Sequence, residues 1–287
     1  MHLPKTGMLL FGLCLACACT KYETVLVSDN DPPVVNNVPA IKIENYVNRI
    51  FIDLLGREPL DEEMADETAA LRVADLSQEA RAALIQKLQT STAAVEGDTS
   101  YQHAYYRHLY NQAKVRCLEG VSDLTIEEEI SAVTDSLKKL KLIALLHARS
   151  DLQNGAIDIG QFFARMVDNN IYDVINMNTF NFVNATFDNL YWRYPTDAEF
   201  NAGFKMVEYN SEETLFGQTG SSKDDYVQIV TGNAELYEGL IIWAYRQLLS
   251  REPATAETAA LLSGFFTARD FPLVQQTIMV TDEYANF

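Results

Sequence analysis

A chain of 287 residues with 40 Asp and Glu against 22 Lys and Arg carries a formal net charge of −18, a surface that nucleic-acid phosphates and anionic bilayers repel. No nucleic-acid partner is therefore expected, and the acids, spread along the chain, read as a solubilising surface. The 48% of hydrophobic residues suffices for one large core or two modest ones.

The N-terminus, "MHLPKTGMLLFGLCLACACTKYE", has Lys5 as a basic start and an apolar run, Met8 to Ala16, too short to span a bilayer as a helix. Small residues then lead to cysteine: Ala16, Cys17, Ala18, Cys19. The order resembles a bacterial lipoprotein signal, which implies that residues 1–18 are removed and that Cys19 carries the lipid (palmitate among its acyl chains). The departure is Ala16, where Leu is usual, and Cys17 is the alternative acceptor. An ordinary cleaved secretory signal is the competing reading. Residues 19–40 follow as a tether. Pro32, Pro33 and Pro39 fix φ and lack a donor, which favours extended chain, and a short edge strand at Thr24 to Val27 stays open. Cys117 stands alone in the body and is expected to be a buried, inert thiol.

From Ile41 onward the apolar spacing is helical, so the body is expected to be all-α, an array of short helices. Three phrases punctuate it: "LLGREP" at 54–59, "LYWRYP" at 190–195 and "LLSREP" at 248–253. Before them run three matching stripes: Tyr46, Val47, Phe51, Leu54, Leu55; Phe182, Val183, Phe187, Leu190, Tyr191; and Leu240, Ile241, Tyr245, Leu248, Leu249. The spacing predicts a helix that ends near Arg57, Arg193 or Arg251, where a basic residue suits the negative end of the dipole. Pro59, Pro195 or Pro253 then pushes the chain out of the α region and stops the helix. A second helix begins at once. Thr196 and Glu199 have capping-box spacing; Glu63 and Glu257 share that register, but Leu60 and Ala254 replace the threonine, so those caps are expected to differ. "ARAALIQKLQTS", "KDDYVQIVTGNAELY" and "FPLVQQTIMVTDEYANF" read as a third helix in each unit. The unit is helix, proline turn, helix, loop, helix, with copies at 42–98, 178–237 and 236–287, and the last helix of the second copy is placed to run into the third.

The expected organisation is a first helical unit over 41–120, an insert over 121–177, and the second and third units over 178–287, with 41–287 open to being one domain. Tyr101 to Leu118 reads as an aromatic-rich helix. Thr125 and Glu128 suggest a capping box before "EISAVTDSLKKLKLIALLHA", with Ile130, Val133, Leu137, Leu140 and Ile143 or Ala144 on one stripe. Gln161 to Ile175 reads as one further helix, and "FGQTGSSKDD", 216–225, as a flexible loop.

"RIFIDLLGREPLDEEM", "LIQKLQTS", "AYRQLLSREPATAE" and the closing "VTDEYANF" resemble bacterial secreted helical modules of unknown function. One such group accompanies cytochrome domains in large planctomycete secreted proteins; another carries the repeat phrase Y-x-x-LLGR-x-P in secreted and surface proteins. The likeness covers the repeat phrases and leaves the insert out. No C-x-x-C-H haem site is present, so the cytochrome context does not transfer, and the resemblance brings no catalytic residues. The lipoprotein signal and the Tyr- and Asn-rich body resemble secreted proteins of Bacteroidota type.

At the joints, Arg57, Arg193 and Arg251 have three readings: a recurring anion or partner site, satisfaction of helix-terminal carbonyls, or pairing with Glu63, Glu199 and Glu257. His103 and His108 lie five apart, the wrong spacing for two ligands on one helical face, and no D-x-[DN]-x-[DN]-G loop with a closing Glu marks a calcium site. No metal or other cofactor is expected, and no catalytic residue is assigned. G-x-S-x-G, Walker and Rossmann fingerprints and C-x-x-C are missing from the sequence. Tyr105, Tyr106, Tyr191 and Trp192, aromatic with polar tips, are candidates for a binding surface, against ordinary core packing.

Three functions stay open. The first is a non-catalytic cell-envelope lipoprotein, anchored most simply in the outer membrane, that serves as scaffold or accessory subunit of a protein assembly. The second is a surface lipoprotein that binds glycan or peptide through its Tyr-rich helices. The third is an enzyme of unassigned type.

Overall fold

Each joint phrase closes one helix and opens the next, and the structure, a computed structural model, describes this in residues 38–95 and 99–286. The signal segment, both candidate lipidation cysteines and the tether's possible strand lie outside the described residues. The first repeat is α1 (Ala40–Leu55), α2 (Asp61–Val73) and α3 (Gln78–Thr90). The insert starts earlier than the expected residue 121, taking in α4 (Tyr101–Leu118), and continues through α5 (Asp123–Ala132), α6 (Ser136–Gln153), α7 (Ile159–Val167) and α8 (Asn170–Asn176). The second repeat is α9 (Thr179–Tyr191), α10 (Asp197–Tyr209), a hairpin of β1 (Glu213–Leu215) and β2 (Gln218–Gly220), and α11 (Lys223–Gly232). The third is α12 (Ala234–Leu249), α13 (Thr255–Ala268) and α14 (Phe271–Met279). The fold is all-α, and the described residues belong to one compact unit.

The predicted stripes become the core. Tyr46, Val47, Phe51, Leu54 and Leu55 are buried, as are Phe182, Val183, Phe187, Leu190 and Tyr191, and Leu240, Ile241, Tyr245 and Leu248. Each such side chain contributes roughly 1.5–3 kcal/mol on leaving water. The helices end earlier than proline alone would end them. The chain turns at Gly56, Trp192 and Ser250, all left-handed with φ of 70°, 60° and 55°, and each N–H returns to the carbonyl four residues back. The proline, three residues further on, only keeps the helix from resuming.

α4 is the centre of the insert and touches α1, α3, α6, α7 and α8. Five expectations there and beyond are corrected. The predicted long helix after Thr125 is two helices: Ser122 caps α5 through the Thr125 N–H, and Asp135 caps α6 through those of Leu137 and Lys138. Of the predicted stripe Ile130 packs against the core, but Leu137, Leu140 and Ile143 turn outward, while Leu142, Leu145 and Ala148 of the same helix are buried. The helix expected over 161–175 breaks at Asn169, which caps α8 through the Tyr172 N–H. The expected flexible loop is instead a hairpin whose two-residue turn, Phe216–Gly217, has φ of 51° and 75°. The second and third repeats do not fuse their helices, because Asn233 is extended and caps α12.

The first and third repeats close on each other. Arg81 reaches the Thr281 carbonyl and Asp282 at 2.8 and 2.7 Å. The Tyr284 hydroxyl donates to Asp53, and Arg49 donates to the Tyr284 carbonyl, both at 2.8 Å. Repeat two meets repeat three closely: a Cβ on Gly239 of α12 would lie 1.9 Å from the Leu190 carbonyl oxygen, so only glycine fits there.

Candidate functional site

At all three joints the arginine takes the third of its readings. Arg57 grips Glu63 with both terminal nitrogens at 2.7 and 2.8 Å. Arg193 holds Glu199 at 2.8 and 2.7 Å, and Arg251 holds Glu257 at the same two distances. The planar fork matches a carboxylate and fixes its rotation. One carboxylate oxygen also accepts the backbone N–H of Leu60, Thr196 or Ala254, at 2.7, 2.7 and 2.6 Å. The caps therefore share this half in every copy; only Thr196 adds the side-chain half expected of a capping box. Each arginine also donates to a carbonyl, that of Glu58, Tyr194 or Glu252, which belongs to the turn rather than the helix end.

The second and third joints recruit another carboxylate. Glu235 pairs with Arg193, and Glu283 with Arg251 at 2.6 and 2.7 Å. At the first joint the Tyr101 hydroxyl bonds to Glu63. The arginines hold Glu199 and Glu257 down at about 2. Burial opposes ionisation of Glu63, but Arg57, the Leu60 N–H and Tyr101 outweigh it and keep its pKa below the usual range.

The proposed aromatic surface is corrected in part. Tyr105 and Tyr191 are core residues, 1% and 4% exposed, and offer nothing to a ligand. The Tyr105 hydroxyl donates to Gln275 at 2.5 Å; that of Tyr191 donates to the Val230 carbonyl at 2.5 Å and accepts from Asn233. A buried tyrosine is satisfied by such a bond. Tyr106 is half-buried and lines a cavity of about 340 Å³ with Asp158, Arg269 and Asp270. Both acids there already cap helices, Asp158 on α7 and Asp270 on α14. Trp192 is half-buried, with the guanidiniums of Arg116 and Arg246 3.5 and 4.0 Å from its ring centre and its indole N–H on the Gly239 carbonyl. These contacts offset the left-handed backbone, which costs a non-glycine residue roughly 1–2 kcal/mol.

His103 and His108 turn to different partners, Arg149 and Gln112. Among the described residues no cluster of three or more His, Cys, Asp or Glu is placed to hold a metal. Cys117 is buried, and burial pushes its thiol up to about 12. Lys141, Asp168 and Asp224 form a polar knot where α6, α7 and α11 meet, with Lys223 on Asp173 beside it.

A concavity among the described residues has lining groups that the fold leaves available. It runs along the outer face of α9, with a volume of about 510 Å³, and is lined by Asn176, Phe180, Asn181, Asn184, Asp188 and Tyr194 over the small side chain of Ala185. Asn176 is nearly buried and uses its amide nitrogen on the Tyr172 carbonyl; Asn184 does the same on Phe180. Sequence reasoning missed this groove. Its signal was the alignment of the three repeats, in which Phe180, Ala185 and Tyr194 differ from their counterparts. The chain matches no known protein family, no curated protein and no solved structure.

Proposed function

We propose that this protein is a non-catalytic cell-envelope lipoprotein, anchored by lipid at Cys19 or Cys17, most simply in the outer membrane, and acting as a scaffold or accessory subunit of a protein assembly there. The observation that carries the non-catalytic part is where the perturbed titratable groups sit. Perturbed groups mark a functional site when they converge in a cleft. Here Glu63, Glu199 and Glu257 are tied to helix starts, and Tyr105, Tyr172, Tyr191 and Tyr226 are raised by burial within the core. The carboxylate shifts follow from the joint arginines and backbone N–H groups, and the tyrosine shifts follow from burial in the core. The envelope part rests on the N-terminal sequence. No helix among the described residues is long and apolar enough to cross a membrane, so the lipid is the anchor proposed.

Affinity purification from native membranes in gentle detergent tests the scaffold reading: a stoichiometric protein partner is expected, and a chain that elutes alone as a monomer contradicts it. Metabolic labelling with a palmitate analogue tests the anchor. Cys19→Ala abolishes labelling if Cys19 is the acceptor, Cys17→Ala if Cys17 is. Labelling that survives both substitutions, or is missing from the unaltered chain, overturns the lipoprotein reading.

A further inference from the structure

The repeats act as internal controls for one another. Aligned on Arg57, Arg193 and Arg251, Phe180 falls opposite Glu44 and Glu238, and Tyr194 opposite Glu58 and Glu252. All four glutamates are exposed, Glu44 and Glu238 on helices and Glu58 and Glu252 in the joint turns. In the second repeat both positions are aromatic and still exposed, Phe180 to 59% and Tyr194 to 72%. They stand at the two ends of the α9 groove. The floor differs too. Ala185 aligns with Arg49, which donates to the Tyr284 carbonyl, and with Trp243, which packs on Phe163 and Phe271. In those copies the position carries a long side chain that meets a neighbouring element. In the second repeat it is a methyl group, and the face lies open.

The lining chemistry selects the ligand. Amides both donate and accept. Among the described residues Asn181 makes no side-chain hydrogen bond, and Asn176 and Asn184 keep their carbonyl oxygens after their nitrogens are used. Asp188 adds an acceptor and a negative charge; its carboxylate is 3.5 Å from Arg116. Among the described lining residues there is no lysine or arginine, and Arg116 is already paired with Asp188, so an anionic ligand finds no cation of its own in the groove. Ala185 is the sole aliphatic among the described lining residues, so the apolar part of the groove is mainly the two aromatic rings. A neutral, polyhydroxylated molecule with apolar ring faces fits each feature: hydroxyls to the amides and Asp188, C–H faces to Phe180 and Tyr194. Phe180 to Asp188 covers about 12 Å of helix, the length of a short oligosaccharide rather than a single sugar. We propose that the α9 groove is a binding site for a neutral oligosaccharide, held between Phe180 and Tyr194.

The test uses the full chain, purified in a detergent without a sugar headgroup. It is titrated calorimetrically with neutral hexasaccharides of glucose (α- and β-linked), mannose, galactose, xylose and N-acetylglucosamine. At least one is expected to bind. Phe180→Glu and Tyr194→Glu, which install the residue the other repeats carry, are each expected to weaken that binding about tenfold or more with the helical circular dichroism unchanged. Asn184→Ala is expected to weaken it less. The proposal is overturned if no member of the panel binds, or if both glutamate variants bind as the parent does. It is equally overturned if hydrogen exchange shows a protein partner or a second copy of the chain protecting α9 while saccharides do not.

Discussion

The first and third joints are built from nearly the same six residues and hold the same bidentate pair at 2.7–2.8 Å, yet they sit in different media. The Arg57 and Glu63 side chains are 23% and 7% exposed; those of Arg251 and Glu257 are 35% and 33%. One local sequence thus gives one geometry, and burial decides what that geometry is worth. Removing one partner from a buried pair leaves a desolvated charge and costs about 3–5 kcal/mol, whereas an exposed pair is worth about 0–1 kcal/mol. The second joint lies between, with Arg193 and Glu199 34% and 19% exposed.

Four changes test this difference. The largest effect is expected from Glu63→Ala, which strands Arg57 and removes the acceptor for the Leu60 N–H. A loss of about 3 kcal/mol in urea unfolding is expected, and a loss equal to that of Glu257→Ala would break the comparison. Gly56→Ser comes next. A Cβ there would meet the His108 ring nitrogen at 2.3 Å, at a φ of 70°, so a loss of about 2 kcal/mol is expected from left-handed strain and the displaced ring. The reciprocal Ser250→Gly relieves the same strain at the third joint and should raise stability by about 0.5–1 kcal/mol, less than the strain itself because glycine also loosens the unfolded chain. Glu257→Ala is expected to cost about 1 kcal/mol or less, and most of that should vanish in high salt.

The pH dependence has a definite sign. Glu199 and Glu257 sit at about 2 in the fold against an ordinary 4.5, so the unfolded chain binds more protons between those values. Their stabilisation is present above about pH 4.5 and is lost as pH falls toward 2. Burial pulls Asp53 and Asp168 the other way, above the usual carboxylate range. Acid titration of Glu199→Gln should show a shallower loss of stability over this window; a slope unchanged from the parent would contradict the assignment.

The repeats were legible because helical periodicity, proline and the Arg–Glu register all point one way, and the stripe from Tyr46 to Leu55 is core as its spacing required. The stop itself was not. Trp192 and Ser250 take a conformation usually left to glycine, and what holds Trp192 there is tertiary: Arg116, Arg246 and the Gly239 carbonyl. In the insert, Asp135 and Asn169 were available as caps, but the apolar pattern continues across both, and pattern alone favoured longer helices. Burial of Tyr105 and Tyr191 depends on partners far along the chain, Gln275 and Val230, which no local spacing reveals. The α9 groove was hidden for a related reason. It exists because Ala185 is small where its counterparts Arg49 and Trp243 are large.

The most direct test of the central claim, that the recurring arginine is a structural lock graded by burial, is a double-mutant cycle at each joint: Arg57 with Glu63, Arg193 with Glu199, and Arg251 with Glu257. The coupling energy should fall in that order, from about 3 kcal/mol at the first joint to about 0.5 kcal/mol or less at the third. Couplings near zero at all three, with purification of a partner lost instead, would mean that the joints are a binding surface and that the account is wrong.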